Sequence, residues 1–116
     1  MRVEIEKWLK QAEADLRKAE VLMDTKNFDG SVFYFQQATE KALKSVCLLK
    51  LQEIPKGHSI IHFAHLLRVP KEMMSGIRDL NPEYLITRYP DMAAGVPAEL
   101  YDEKIAAKSN RADPDF

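Results

Sequence analysis

The sequence predicts an all-α protein, an antiparallel up-and-down bundle of four long helical elements with shorter pieces between them. Three observations lead to this prediction. Apolar residues recur at helical spacing, no segment alternates as a strand does, and 116 residues suit one domain with one core. With 46% hydrophobic and 30% charged residues, the composition is globular and excludes a disordered chain. We therefore expect a single domain over residues 1–116.

The first helix has the most regular pattern. From about residue 3 to about residue 25, apolar side chains are spaced alternately four and three apart: Ile5, Leu9, Ala12, Leu16, Ala19 and Met23. This spacing places them on one face. Asn27 and Gly30 interrupt the pattern, and Asp29 or Ser31 is predicted to cap the second helix.

The second helix, predicted over residues 30–51, is apolar on nearly all sides and should therefore be central. One face is predicted to be buried, that of Phe35, Ala38, Ala42, Val46 and Leu49. A narrow polar stripe repeats every four residues at Gln36, Glu40 and Lys44. Glu40 and Lys44 form an acid-first i,i+4 pair. Cys47 lies among apolar residues, where a thiol is usually a small core hydrophobe.

The second half of the chain is predicted to contain shorter elements. Ser59 is a candidate N-cap for a helix over residues 60–67, and Pro70 suits the first turn of the next helix. That helix keeps helical spacing at Met73, Ile77 and Leu80. Residues 89–97 have the composition of a loop, and a last short helix is predicted from about residue 98 or 102 through 106.

Charge and cysteine content narrow the class of protein. The formal net charge of −1 gives no sign of a sequence-independent nucleic-acid binder, so any basic patch must be local. A single cysteine excludes an intrachain disulfide and a cysteine-based zinc site. No apolar run approaches the roughly 20 residues that cross a bilayer, and the N-terminal residues lack the apolar core of a signal peptide. We expect a cytoplasmic protein without a membrane partner.

Three histidines, His58, His62 and His65, are spaced as metal ligands on one helical face could be. His58, however, follows Gly57 and precedes the predicted cap Ser59, so it does not share their helical phase. We therefore predict no metal site and no cofactor. The sequence also marks no nucleophile with its base and no glycine-rich phosphate loop.

Gln37 and Glu40 lie within the strongly apolar second helix, where a polar group costs free energy unless it is paired. Their most economical distant partner is the cation of Arg88. Two interpretations stay open, a structural pairing that fixes how helices meet and a ligand-binding site.

Three motifs, taken in order, resemble those of the HEPN domain family of bacteria and archaea. They are FQQATEKALK at residues 35–44, GHSI at residues 57–60 and TRYPD at residues 87–91. The resemblance extends from the first helix to Tyr101. It implies an up-and-down bundle of about five helices that usually forms a homodimer. Many members are small stand-alone chains that partner a minimal nucleotidyltransferase, often as a toxin–antitoxin-like pair, and others are metal-independent ribonucleases.

The sequence departs from the ribonuclease members in one decisive respect. They carry an Arg-x4-6-His motif, whereas here only Arg2 and Arg17 precede the first histidine, His58, and both are far from it. We therefore predict no catalytic residue of the kind that the ribonuclease members use. The closing helix is also shorter than in relatives, and the apolar surface this leaves should be buried against a second copy, giving a dimer or higher oligomer.

The leading hypothesis is a non-catalytic module that binds a nucleotide, or a minimal nucleotidyltransferase partner, at one polar patch. The patch comprises Gln37, Glu40, Lys44, His58, Arg88 and Tyr89. Arg88 would contact phosphate and Tyr89 would stack on a base. The alternatives are a ribonuclease that uses His58 as general acid or base with Arg88 as phosphate clamp, and a purely structural oligomer.

Overall fold

A computed structural model describes residues 2–80 and Asp102. These residues contain four helices, α1 (Arg2–Asp24), α2 (Phe28–Leu51), α3 (Ile60–Leu67) and α4 (Lys71–Leu80), and none of them lies in a strand. The all-α prediction is confirmed. The described part of the chain has four helices rather than about five. The predicted loop at residues 89–97 and the predicted last helix lie outside the described residues.

Helices α1 and α2 form a helical hairpin through a tight turn. The backbone N–H of Asn27 donates to the Leu22 carbonyl at 2.8 Å, and Lys26 adopts a positive φ of 63°. Gly30 lets the helices approach closely, because a Cβ there would lie only 3.1 Å from Leu22 Cδ1. Since only three residues separate two helices of 23 and 24 residues, they run antiparallel along each other.

The start of α2 differs from the predicted caps. The helix begins at Phe28, two residues early, and Asn27 at the N-cap position makes no side-chain cap bond. Asp29 and Ser31 are therefore inside the helix, and the cap prediction was wrong. The Ser31 hydroxyl instead donates to the Ala19 carbonyl of α1 at 2.7 Å in a buried position. A bond to the neighbouring helix has taken the place of a local cap.

The core lies around α2, as its apolar composition predicts. Its buried members include Ala19, Val32, Phe35, Leu43, Cys47, Ile60, Phe63, Met74, Ile77 and Leu80. Phe35, Ala38 and Ala42 are buried, which confirms the first part of the predicted buried face of α2. The prediction was wrong for the end of that face, because Val46 is only half-buried and Leu49 is 62% exposed. Leu49 faces the first turns of α1 beside the charged Arg2 and Glu6, which do not cover it.

Helices α3 and α4 follow the predicted signals closely. The Ser59 hydroxyl accepts the His62 backbone N–H at 3.2 Å, which confirms the predicted cap and the helix over residues 60–67. Pro70 immediately precedes α4, and its carbonyl accepts the Met73 backbone N–H at 3.0 Å. None of the helices described is long and apolar enough to cross a membrane.

Candidate functional site

The polar stripe of α2 is buried and forms a charged group that we call the Glu40 cluster. It consists of Gln36, Gln37, Glu40, Lys44 and His58. Glu40 is 3% exposed, Gln36 is fully buried, and Lys44 is 8% exposed. Charged side chains are rarely buried to this extent unless they are paired. The partners of Glu40 and Lys44 therefore determine how this cluster is stabilised.

Both oxygens of the Glu40 carboxylate are occupied. Its Oε2 accepts a hydrogen bond from Lys44 Nζ at 3.0 Å and lies 3.0 Å from His58 Nδ1. Its Oε1 accepts a weaker bond from Gln36 Nε2 at 3.4 Å. Gln37 Nε2 completes the chain by donating to Gln36 Oε1 at 2.8 Å. These partners offset the cost of removing the carboxylate from water.

Lys44 also lies between two aromatic rings. Its Nζ is 5.4 Å from the centroid of Trp8 on α1 and 5.6 Å from that of Phe63 on α3. Both distances fall in the range of cation–π attraction, which strengthens where the cation is shielded from water. The ammonium group thus joins three helices, and its burial is compensated by one carboxylate and two π faces.

The Glu40 cluster reaches the surface through His58. This residue lies between α2 and α3, directly after Gly57, whose φ of 96° favours glycine. The His58 side chain is 55% exposed, whereas the Glu40 side chain it faces is 4% exposed. Because a carboxylate accepts hydrogen bonds, Nδ1 is assigned as the protonated ring nitrogen. The His58 ring is thus the most exposed part of the cluster.

The structure brings together four of the six predicted site residues, Gln37, Glu40, Lys44 and His58. The other two, Arg88 and Tyr89, lie outside the described residues, and so does the predicted Arg88 pairing. Within residues 2–80, Glu40 pairs with Lys44 and His58. Gln36 was not among the predicted site residues, although its four-residue spacing from Glu40 is visible in the sequence.

A second buried carboxylate, Asp15 on α1, was not predicted. It is 1% exposed, accepts from Gln11 Nε2 at 2.9 Å, and pairs with Lys41 of α2. Lys18 Nζ lies 3.6 Å from it. The sequence does carry one sign of this burial, because Asp15 lies three residues after Ala12 and so shares the apolar face of α1. With donors on both oxygens, Asp15 ties α1 to α2 as a structural ion pair.

The three histidines do not converge. His58 faces Glu40, whereas His62 and His65 lie exposed on α3. Across residues 2–80 there is no group of three or more His, Cys, Asp or Glu side chains placed to hold a metal ion. Cys47 is fully buried, and burial raises the pKa of its thiol, which makes it a core side chain.

A small helical bundle with a buried polar stripe on its central helix defines the class of this protein. The family model described as "HEPN domain" matches residues 5–111. The chain therefore belongs to the HEPN domain family, which confirms the resemblance found in the sequence.

Solved structures and a relative agree with this assignment. The crystal structure of TT1696 from Thermus thermophilus superposes with a TM-score of 0.85 at 30% identity, covering 93% of this chain and 88% of the other. The structure of ST0689, titled an archaeal HEPN homologue, gives 0.80 at 33% identity, covering 93% and 87%. A protein of Methanocaldococcus jannaschii named "Putative toxin MJ1304" is 30% identical over 112 residues, covering 85% of this chain and 74% of the relative.

Proposed function

We propose that this chain is the HEPN component of a toxin–antitoxin-like pair. In this role it acts as a non-catalytic module that binds a nucleotide, a minimal nucleotidyltransferase partner, or both. Membership of the family and the relative with toxin in its name support the pair. The observation that carries the binding role is the Glu40 cluster, a buried set of charges whose most exposed member is the His58 imidazole.

The composition of the cluster favours a binding role over a purely structural one. Well-packed apolar residues in place of a buried ion pair are often as stable or more stable, so Glu40 and Lys44 are not needed for stability alone. The exposed His58 imidazole and the half-buried Gln37 amide are the groups of the cluster that could hydrogen-bond to the edge of a nucleobase, and Glu40 orients His58. In this proposal His58 forms the rim, Arg88 contacts phosphate and Tyr89 stacks on the base.

Calorimetric titration with each of the common ribonucleoside triphosphates tests the nucleotide role. We expect His58→Ala to weaken binding at least tenfold, while His62→Ala, an exposed histidine outside the cluster, binds as the wild type does. Far-UV circular dichroism verifies that both variants are folded. Equal affinity of the wild type and His58→Ala, or absence of binding by the wild type, would contradict the proposed site.

Arg88→Ala separates the two interpretations of the polar patch. If Arg88 contacts phosphate, the variant loses nucleotide binding and keeps the unfolding temperature of the wild type. If its role is to pair with buried polar groups, the variant instead unfolds at a clearly lower temperature. The measurement is thermal unfolding followed by titration of the same sample.

Co-expression with a minimal nucleotidyltransferase of the same host tests the partner role. We expect a complex of fixed stoichiometry in size-exclusion chromatography with light scattering. The variant His58→Glu, which places a carboxylate at the rim of the cluster, should weaken this complex if the partner docks there. Separate elution of the two proteins at micromolar concentration would contradict the partner role.

Self-association is also part of the proposal. Several large apolar side chains of the described helices are exposed: Val3, Leu9, Val21, Leu49, Leu51 and Leu66. Burying such surface against a second copy would contribute about 25 cal/mol per Å² of apolar area. We expect a dimer or higher oligomer by light scattering at micromolar concentration, and a monomer would contradict this.

One observation favours ribonuclease activity as the second candidate function. The His58 ring lies 3.0 Å from a carboxylate, an arrangement that orients an imidazole for proton transfer. Cleavage of RNA in the presence of a chelator that disappears in His58→Ala would support it. An inert wild-type preparation would rule it out, and a protein that also binds no nucleotide and no partner would be a structural oligomer.

A further inference from the structure

A groove of about 420 Å³ lies between α3 and α4, at the opposite end of α3 from His58. Its basic side chains are His65, Arg68, Lys71 and Arg78, which we call the basic groove, and its apolar floor includes Val69 and Met74. All four basic residues are exposed. None of the described residues that line the groove is acidic.

The backbone explains how the cations come together. Arg68 caps the end of α3 in the left-handed conformation, with φ 55°, and its N–H bonds to the carbonyls of Ala64 and His65. Lys71 and Arg78 are two turns apart on α4 and therefore share one face. The acidic residues of α4, Glu72 and Asp79, follow each of these by one residue and so lie about 100° further round the helix. Like charges are thus segregated on α4.

The arginines and the lysine of the basic groove are not paired with acidic side chains of the described residues. Arg68, Lys71 and Arg78 form no ion pair with any residue of the described ranges. By contrast, three lysines of the α1–α2 hairpin approach the buried carboxylates and are paired with them: Lys18, Lys41 and Lys44. Three fixed positive charges on one groove, in a chain whose net charge is −1, form a local anion-binding surface.

We propose that the basic groove binds the phosphodiester backbone of a nucleic-acid strand. Arg and Lys around a concave surface suit successive phosphates, with Arg able to contact two oxygens of one phosphate. A protein partner is less well matched, because charged residues are depleted from the core of protein interfaces, whereas four of the seven residues that line this groove are basic. The eight residues of α3 span about 12 Å, so this site is separate from the Glu40 cluster and does not depend on the proposed function.

Fluorescence anisotropy with labelled oligouridine and oligothymidine strands tests the groove. If three phosphates are neutralised on a single strand, wild-type affinity should fall about 20-fold between about 50 and about 200 mM salt. The groove variant Arg68→Gln/Lys71→Gln/Arg78→Gln should lose at least tenfold in affinity at the lower salt and most of its salt dependence.

The matched control removes three exposed lysines elsewhere, Lys7→Gln/Lys10→Gln/Lys50→Gln, and has the same net charge as the groove variant. We expect it to bind within about twofold of the wild type. An equal loss in both variants would overturn the proposal, because overall charge would then account for binding. Absence of binding to either strand, or binding of inorganic phosphate alone, would overturn it as well. Circular dichroism verifies the fold of each variant.

Discussion

Replacing Glu40 by Gln is the sharpest test of the reasoning about the buried cluster. The substitution keeps the size and shape of the side chain, removes its charge and replaces one acceptor oxygen by an NH2 donor. Lys44, with 11% of its side chain exposed, then loses the carboxylate 3.0 Å from its ammonium group. His58 loses the same partner, but at 55% exposure its ring is largely solvated. The main cost should therefore arise at Lys44.

The size of the effect follows from the burial of the pair. Removing one partner of a buried ion pair costs about 3–5 kcal/mol, because the other charge stays buried without compensation. The rings of Trp8 and Phe63 still attract the Lys44 ammonium, which places the expected loss near the lower end, at about 3 kcal/mol. At about 2.1 cal/mol/K per residue for 116 residues, this corresponds to a decrease in Tm of about 12 °C.

Urea unfolding followed by far-UV circular dichroism gives the free energy of unfolding, and calorimetry gives Tm. Glu53→Gln removes an exposed carboxylate just after α2 and should change stability by less than about 0.5 kcal/mol. The double variant Glu40→Gln/Lys44→Met should recover part of the loss, because it removes both charges. A loss below about 1 kcal/mol for Glu40→Gln would refute the argument that this pair is buried and mutually compensating.

Three further predictions concern the packing of the helices. Ser31→Ala should cost about 1 kcal/mol in urea unfolding through its lost bond to α1, while the exposed Ser75→Ala stays neutral; equal effects would contradict the interhelical bond. Ser59→Ala should cost about 1 kcal/mol by removing the α3 cap, and an unchanged midpoint would contradict its role. Burial raises the pKa of the Cys47 thiol, so the unfolded protein releases the thiol proton at a lower pH than the folded protein does. The free energy of unfolding should therefore fall as the pH rises past the ordinary thiol pKa of about 8.5. A thiol-specific reagent should then react only with the unfolded protein, and rapid labelling of the native protein would contradict this.

The local pattern of the sequence predicted most of the helices because the signals were local. The alternating spacing from Ile5 to Met23 and the serine before residue 60 each determine a helix or its start without distant partners. The start of α2 was predicted wrongly for the converse reason. Ser31 has the side chain of a cap, but a carbonyl of the neighbouring helix lies within its reach, and a buried hydroxyl bonds to the acceptor that tertiary packing provides.

The candidate site could be predicted only in part. Spacing alone indicated that Glu40 and Lys44 would pair, since residues four apart on a helix are neighbours. It could not indicate that the pair is buried between Trp8 and Phe63, because these rings come from other helices. The partnership of His58 with Glu40 likewise joins residues 18 apart in the chain. The burial of Asp15 was missed because a carboxylate on an apolar face is costly unless a distant cation, here Lys41, meets it.

The sequence by itself determined that this protein is all-helical, which helix is central and which family it belongs to, because helical periodicity and motif order are properties of neighbouring residues. Only the tertiary structure decided which charges are buried, which cations share the groove between α3 and α4, and which apolar side chains remain exposed. The physical reason is that the free energy of a charge depends on its solvent exposure and its partners, and both are set by how separate helices pack.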